Sequence, residues 1–155
     1  MSERVSQARE RRFAGSPSNR AATLNPISLQ TGDRIPEFVD EPFTRTDFVR
    51  YQGASGDMNP IHHDEDFAKA AGFPSVFAVG MLAAGILGTY VAELFGPQNI
   101  RRFKVQFREQ AWPGDVLKYS GKVTDRRDAE LDLELAATRQ TGGVHMLGWA
   151  TVVVV

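Results

Sequence analysis

The sequence predicts an α+β domain in which one long central helix is wrapped by a curved antiparallel β-sheet. Three observations carry that prediction. The stretch VGMLAAGILGTYVAELF at 79–95 contains only Thr89 and Glu93 as strongly polar or charged residues, so a helix there must be buried on nearly all sides. After it, apolar and polar residues alternate with period two through most of the chain. Short turns rich in Gly, Pro and Asp join the alternating segments, as antiparallel neighbours require.

Residues 1–25 read as a flexible, weakly basic tail. They lack the apolar stretch of a secretory signal, and Glu3 and Glu10 count against a transit peptide. Residues 26–155 form the domain, with order setting in near Leu29. Gly32-Asp33 marks a turn, and Ile35 and Phe38 lead into a short extended piece. Thr44 and Asp47 have the spacing of a helix start, where a hydroxyl caps free N–H groups and an acid in the first turn meets the helix dipole. Phe48, Tyr51 and Ser55 then share one face, and the helix stops within Gly53–Gly56. A second short helix runs from Asp64 to Gly72, which makes Asp64, Glu65 and Asp66 its acidic first turn.

Within the central helix, Ala83, Ala84, Gly85 and Gly88 allow other backbones to approach closely; two interior glycines cost about 1 kcal/mol each against alanine, so packing must need them. Phe103, Val105 and Phe107 alternate with Arg102, Lys104, Gln106 and Arg108 in the first following strand. Leu117, Tyr119, Gly121 and Val123 share a face in the next, and Leu131, Leu133 and Leu135 in the third. The last segment, 144–155, is apolar on both faces, as a strand covered on both sides is. Four consecutive strands are expected to form a meander. A meander that must hide one helix curls around it, which is the hotdog architecture. Its edges and the apolar last strand predict a subunit interface.

Composition narrows function. The chain has 155 residues, a net charge of −1 and 42% hydrophobic residues, which suits one domain and no nucleic-acid partner. It has no cysteine, so disulfides, thiol nucleophiles and cysteine-ligated metals are excluded, and a reducing, cytoplasmic setting is expected. No apolar run reaches the length of a membrane span.

Chemistry concentrates in SGDMNPIHHDED at 55–66. Gly56 permits unusual backbone angles, and Pro60 fixes its own φ and restrains Asn59. On such a loop Asp57 and His62 can hold one water between an acid and an imidazole, as general acid–base catalysis requires. The residues alone equally allow Asp57 to cap a turn and His62 to be a packing residue. No metal is expected: His62 and His63 diverge in an extended segment, and no second cluster supplies ligands. No nucleophile elbow surrounds Ser55 or Ser75, and no phosphate-cradling glycine motif occurs.

SGDMNPIH at 55–62, with Asp64, Phe67-Ala68, Gly72-Phe73, Gly80-Met81-Leu82 and FREQAWPGD at 107–115, resembles the MaoC-like hydratase/dehydratase family over about residues 29–155. That family includes (R)-specific enoyl-CoA hydratases and (3R)-hydroxyacyl-ACP dehydratases. The resemblance implies a catalytic Asp57 and His62, with His63 a neighbour, and Asn59 ordering the loop and the water. It implies that the Gly80 main-chain N–H donates to the substrate's thioester carbonyl, which suits the free N–H groups of a helix start. Val79 and Met81 then flank the substrate. Arg108, with Arg101, Arg102 and Lys104 on the same segment, can meet the phosphates of CoA or an acyl-carrier protein.

The implied reaction is reversible hydration of trans-2-enoyl thioesters to (3R)-3-hydroxyacyl thioesters, in fatty-acid or related acyl metabolism, steroid side chains included. It needs no cofactor beyond the CoA or carrier protein that is part of the substrate. One departure is Val79, where the family commonly has histidine; this bears on substrate range. A hotdog acyl-CoA thioesterase is one alternative. Another is a subunit of a hetero-oligomeric dehydratase. The expected assembly is a homodimer or higher oligomer, or a heterodimer with a related hotdog subunit.

Overall fold

A computed structural model describes residues 24–154. The tail expected at 1–25 lies outside them apart from its last two residues. Leu24 packs against the core, and the Asn25 side chain accepts from the Ile27 N–H to start a 3-10 turn at Pro26–Ser28. The elements that follow are β1 (Arg34–Val39), α1 (Arg45–Ser55), α2 (Glu65–Ala70), α3 (Gly80–Phe95), β2 (Ile100–Phe107), β3 (Leu117–Arg127), β4 (Glu130–Arg139) and β5 (Val144–Val153). Further 3-10 turns lie at Pro60–His62 and Pro97–Asn99.

The strands form one sheet in the order β1-β3-β4-β5-β2, with every pairing antiparallel. The meander therefore covers only β3, β4 and β5. Strand β2 does not pair with β3; the chain crosses over through residues 108–116 and leaves β2 at the far edge, beside β5. The cause is the apolar character of β5 on both faces, which favours a central strand with a neighbour on each side. Pairing sets Phe103, Val105 and Phe107 opposite Ala150, Gly148 and Met146.

Helix α3 packs in the sheet and buries Leu82, Ala83, Ala84, Leu87, Tyr90, Val91, Leu94 and Phe95. Gly148 permits its close approach, since a Cβ there would lie 2.8 Å from Leu87 Cδ2. The Tyr90 hydroxyl donates to the Pro36 carbonyl at 2.8 Å and ties the helix to β1. Burial is not complete, however. Met81, Gly85 and Thr89, four residues apart, form an exposed stripe. Phe103 and Phe107, on the apolar face of β2, are also exposed. A single sheet edge does not close over that side of the helix.

Helix α1 begins with the expected reciprocal cap: Asp47 N–H donates to Thr44 Oγ1 at 3.2 Å, and Thr44 N–H to Asp47 Oδ2 at 2.8 Å. Its inward face is Phe48 and Gln52, both fully buried, while Tyr51 is half-buried and Ser55 exposed. Asp64 caps α2 by accepting from the N–H groups of Asp66 and Phe67, each at 3.0 Å. Glu65 pairs with Arg45 and Lys69, so the acidic turn is accounted for by local structure.

Candidate active site

Helix α1 ends at Gly56, whose φ of 77° is a left-handed conformation that glycine adopts without steric cost. The turn releases Asp57 into solvent. There Asp57 Oδ1 accepts from the Asn59 N–H at 3.2 Å, and the Asp57 N–H donates to Ser55 Oγ at 3.3 Å. Asn59 Oδ1 accepts from the Ile61 N–H at 3.1 Å, capping the Pro60–His62 turn, with Pro60 at its first position. This tight turn swings His62 inward to 8% exposure and leaves His63 outside.

The His62 ring is fixed by its far nitrogen. Nδ1 lies 2.7 Å from the Phe77 carbonyl oxygen, which can only accept, so Nδ1 carries the proton. Nε2 then faces Asp57, with Nε2 and Oδ2 3.9 Å apart. That is too long for a direct hydrogen bond, and one oxygen atom can sit about 2.8 Å from both. The imidazole is sheltered and the carboxylate open, with side-chain exposures of 9% and 43%.

An aromatic stack supports the imidazole. Phe77 meets the His62 ring edge-on at 5.1 Å, and itself packs against Phe73 at 4.8 Å and Trp112 at 5.7 Å. The Ala78 N–H donates to the Ala111 carbonyl at 2.8 Å, so the crossover after β2 holds the segment leading into α3. Val79 is buried and stands at the N-cap, where no side chain caps the first turn. Gly80 opens the helix beneath Phe107: a Cβ there would lie 2.8 Å from Phe107 Cε1. Met81 is exposed at the mouth of this end. Arg108 is exposed just beyond Phe107, its N–H donating to the His145 carbonyl at 2.9 Å. Lys104 lies over the Trp149 ring at 5.4 Å instead.

The crossover is held by a buried carboxylate. Asp115 accepts from Arg139 Nε at 2.7 Å and Nη2 at 3.2 Å, from Gln140 Nε2 at 2.9 Å and from the Trp112 N–H at 2.8 Å. Burial works to raise its pKa, but these donors, Arg139 foremost, hold it below the usual carboxylate value. Nearby, buried His145 donates from Nδ1 to the Glu109 carbonyl, and its Nε2 has no hydrogen-bond partner among the described residues. Burial pushes that imidazole below its ordinary value.

Sequence reasoning overlooked Gln52 and treated His63 as a bystander. Gln52 is 2% exposed, and its Nε2 donates to the carbonyls of Asp57 at 2.8 Å and Asn59 at 2.9 Å. Its Oε1 accepts from His63 Nδ1 at 3.0 Å. The available signal was a glutamine one helical turn after Phe48, on the face that Phe48 marks as buried. Among the described residues no three His, Asp or Glu side chains gather as a metal site, and no helix is long and apolar enough to cross a membrane.

A five-stranded antiparallel sheet holding one helix, with an acid and an imidazole brought together by the loop before it, defines a hotdog protein. The family model described as MaoC like domain matches residues 28–142, and the chain belongs to that family. The chain is 37% identical over 97 residues to 3-hydroxyacyl-thioester dehydratase Y of Mycobacterium tuberculosis, covering 59% of this chain and 33% of that protein. It is 30% identical over 112 residues to probable enoyl-CoA hydratase 2 of Dictyostelium discoideum, covering 70% of this chain and 38% of that one. It thus spans well under half the length of either relative. The ChsH1–ChsH2 complex of Mycobacterium tuberculosis superposes with a TM-score of 0.72 at 23% identity, over 81% of this chain and 98% of the matched one, which shows the shared fold.

Proposed function

We propose that this chain catalyses the reversible hydration of trans-2-enoyl thioesters to (3R)-3-hydroxyacyl thioesters. The observation that carries the reading is the spacing of His62 Nε2 and Asp57 Oδ2, 3.9 Å apart, with the opposite nitrogen of the ring anchored on Phe77. In hydration the oxygen of a water held between them attacks C3, and a proton is delivered to C2. Asp57 and His62 act as one unit, since both reach the same water. Asn59 keeps Asp57 and His62 in register by capping the turn between them. Negative charge builds on the thioester oxygen as C3 is attacked. The Gly80 N–H, at the uncapped start of α3, is the donor suited to meet it.

Val79 and Met81 would flank the acyl thioester, and Arg108 would meet an anionic part of the carrier. Addition of water changes no oxidation state overall, so the reaction calls for no redox cofactor, and CoA or an acyl-carrier protein enters only as part of the substrate. The similarity to proteins named enoyl-CoA hydratase and 3-hydroxyacyl-thioester dehydratase supports the same reading. A second hotdog subunit, identical or related, is proposed to pair along β2, and the setting proposed is the cytoplasm.

The test is a spectrophotometric assay with crotonyl-CoA and longer enoyl-CoAs, following loss of the conjugated enoyl absorbance. Hydration without release of free CoA is expected. Release of free CoA without hydration at any chain length would instead establish a thioesterase.

A further inference from the structure

We propose that Gln52 is a positioning residue for the Asp57–His62 pair, and that His63 supports it by holding its amide oxygen. The proposal rests on the reading of that pair as the acid–base site. Gln52 lies on the inner face of α1 and is 2% exposed, so its amide must find partners within the protein. Both Nε2 hydrogens are used, on the main-chain carbonyls of Asp57 and Asn59. The contacts bracket Met58 and fasten to α1 the part of the loop that carries the carboxylate.

The amide cannot be turned over. A flip would aim Oε1 at two carbonyl oxygens and leave two acceptors facing an acceptor. Oε1 is itself held by His63, and because that oxygen only accepts, His63 Nδ1 must carry a proton. The two carbonyls thus fix which end of the amide faces the loop, and the second histidine of the pair in the sequence holds the other end.

The distance between acid and imidazole is thus set from two sides. His62 hangs from the Phe77 carbonyl, which belongs to the segment entering α3. Asp57 is held by Gln52, which belongs to α1. The other bonds are local: Asn59 N–H to Asp57 Oδ1 and Ile61 N–H to Asn59 Oδ1 shape the loop internally, and Asp57 N–H to Ser55 Oγ, at 3.3 Å, reaches only the last residue of α1. Loss of Gln52 frees Asp57 to move while His62 stays, and misplacement on the scale of an ångström is enough to slow such chemistry by about 100-fold. The Gly80 end of the site is untouched.

The test compares Gln52→Met, which keeps volume without hydrogen bonds, with His63→Phe at an exposed position, and with the double variant. Gln52→Met should lower kcat on crotonyl-CoA by about 10- to 100-fold while KM changes less than about threefold. His63→Phe should lower kcat by less, and adding it to Gln52→Met should change nothing further, because His63 acts through Gln52. A folded Gln52→Met enzyme with kcat within about twofold of wild type would overturn the proposal, as would multiplying effects in the double variant. Amide hydrogen exchange supplies an arm that needs no turnover. Exchange across residues 57–63 should quicken in Gln52→Met, or in His63→Phe if the former does not fold, while β4 stays protected. Unchanged exchange would also overturn it. Wild-type protein without hydratase activity would sink the proposed function and leave the exchange result to decide the role of Gln52.

Discussion

The Phe77 carbonyl oxygen lies 2.7 Å from His62 Nδ1, and this contact decides which imidazole nitrogen faces Asp57. With Nδ1 engaged by Phe77, Nε2 is the nitrogen that faces the Asp57 carboxylate, 3.9 Å away. The main chain that enters the central helix therefore places the proton of the His62 ring on Nδ1. The proposed N–H donor for the substrate, on Gly80, and the orienting acceptor for His62, on Phe77, lie in the same short segment, 77–80.

Replacing either member of the pair should abolish most turnover. Asp57→Asn keeps an acceptor for the Asn59 N–H and so preserves the loop, yet removes the carboxylate; His62→Ala removes the base. Each should lower hydration of crotonyl-CoA by about 10² or more with the circular dichroism spectrum unchanged. Near-wild-type turnover in either variant would remove the pair from the mechanism.

Gly80→Ala should fold but work poorly. A methyl group at this position would come within 2.8 Å of Phe107 Cε1. The ring is 46% exposed, so it has room to turn aside, and the stability cost should stay below about 1.5 kcal/mol. The displaced ring and the methyl group then crowd the donor N–H, and kcat/KM should fall by about tenfold or more. Kinetics paired with urea unfolding separate these two effects.

Asp115→Ala should destabilise strongly. It strips partners from Arg139, from Gln140 and from the Trp112 N–H, and breaking a buried ion pair from one side costs about 3–5 kcal/mol. Trp112 packs on Phe77 and the Ala111 carbonyl holds Ala78, so the loosened crossover should also slow catalysis. Urea denaturation measures the first effect. An unchanged midpoint would show that the network contributes nothing.

The loop that brings Asp57 and His62 together was legible in the sequence because Asp57, Asn59 and His62 lie within six consecutive residues, and the Gly56 and Pro60 geometry acts locally. The helix caps at Thr44 and Asp64 were legible for the same reason. Gln52 was not, since its partners are main-chain carbonyls that reach it only once the loop folds back over α1. The place of β2 was not legible either: period-two alternation defines a strand and its faces, whereas neighbours depend on where the crossover lands. The exposed stripe of α3 escaped because an apolar composition states that a surface must be covered without saying by what.

Stability should fall on acidification through His145. The folded state keeps this buried ring neutral, its pKa lying below the ordinary 6.5, and Glu109, Asp115, Arg139 and the Phe107 ring surround it. The unfolded chain protonates it freely, so below about pH 6.5 the unfolded state binds more protons and gains at the folded state's expense. The stabilisation is complete above that pH and is lost progressively below it. Asp115, depressed from 3.8, acts in the same direction only at lower pH. Tm measured from pH 7.5 to 5 should drop more steeply for wild type than for His145→Gln. Parallel curves would show that His145 does not carry the effect.

The exposed edge makes the assembly testable. Strand β2 ends the sheet, and beside it Phe103, Phe107 and Met81 are 37%, 46% and 52% exposed. An unpaired edge flanked by large apolar side chains invites a second strand, and Gly85 opens the adjoining face of α3 to close approach. Phe103→Glu introduces a charge on that face without touching Asp57, His62 or Gly80. Light scattering after size exclusion should give at least twice the mass of one chain for wild type and a single-chain mass for the variant. The variant should also lose activity in proportion to dissociation, because Phe107 and Met81 lie both on the exposed face and beside Gly80. A wild-type protein that is monomeric and active would show that the edge is not an interface and that one chain completes the site.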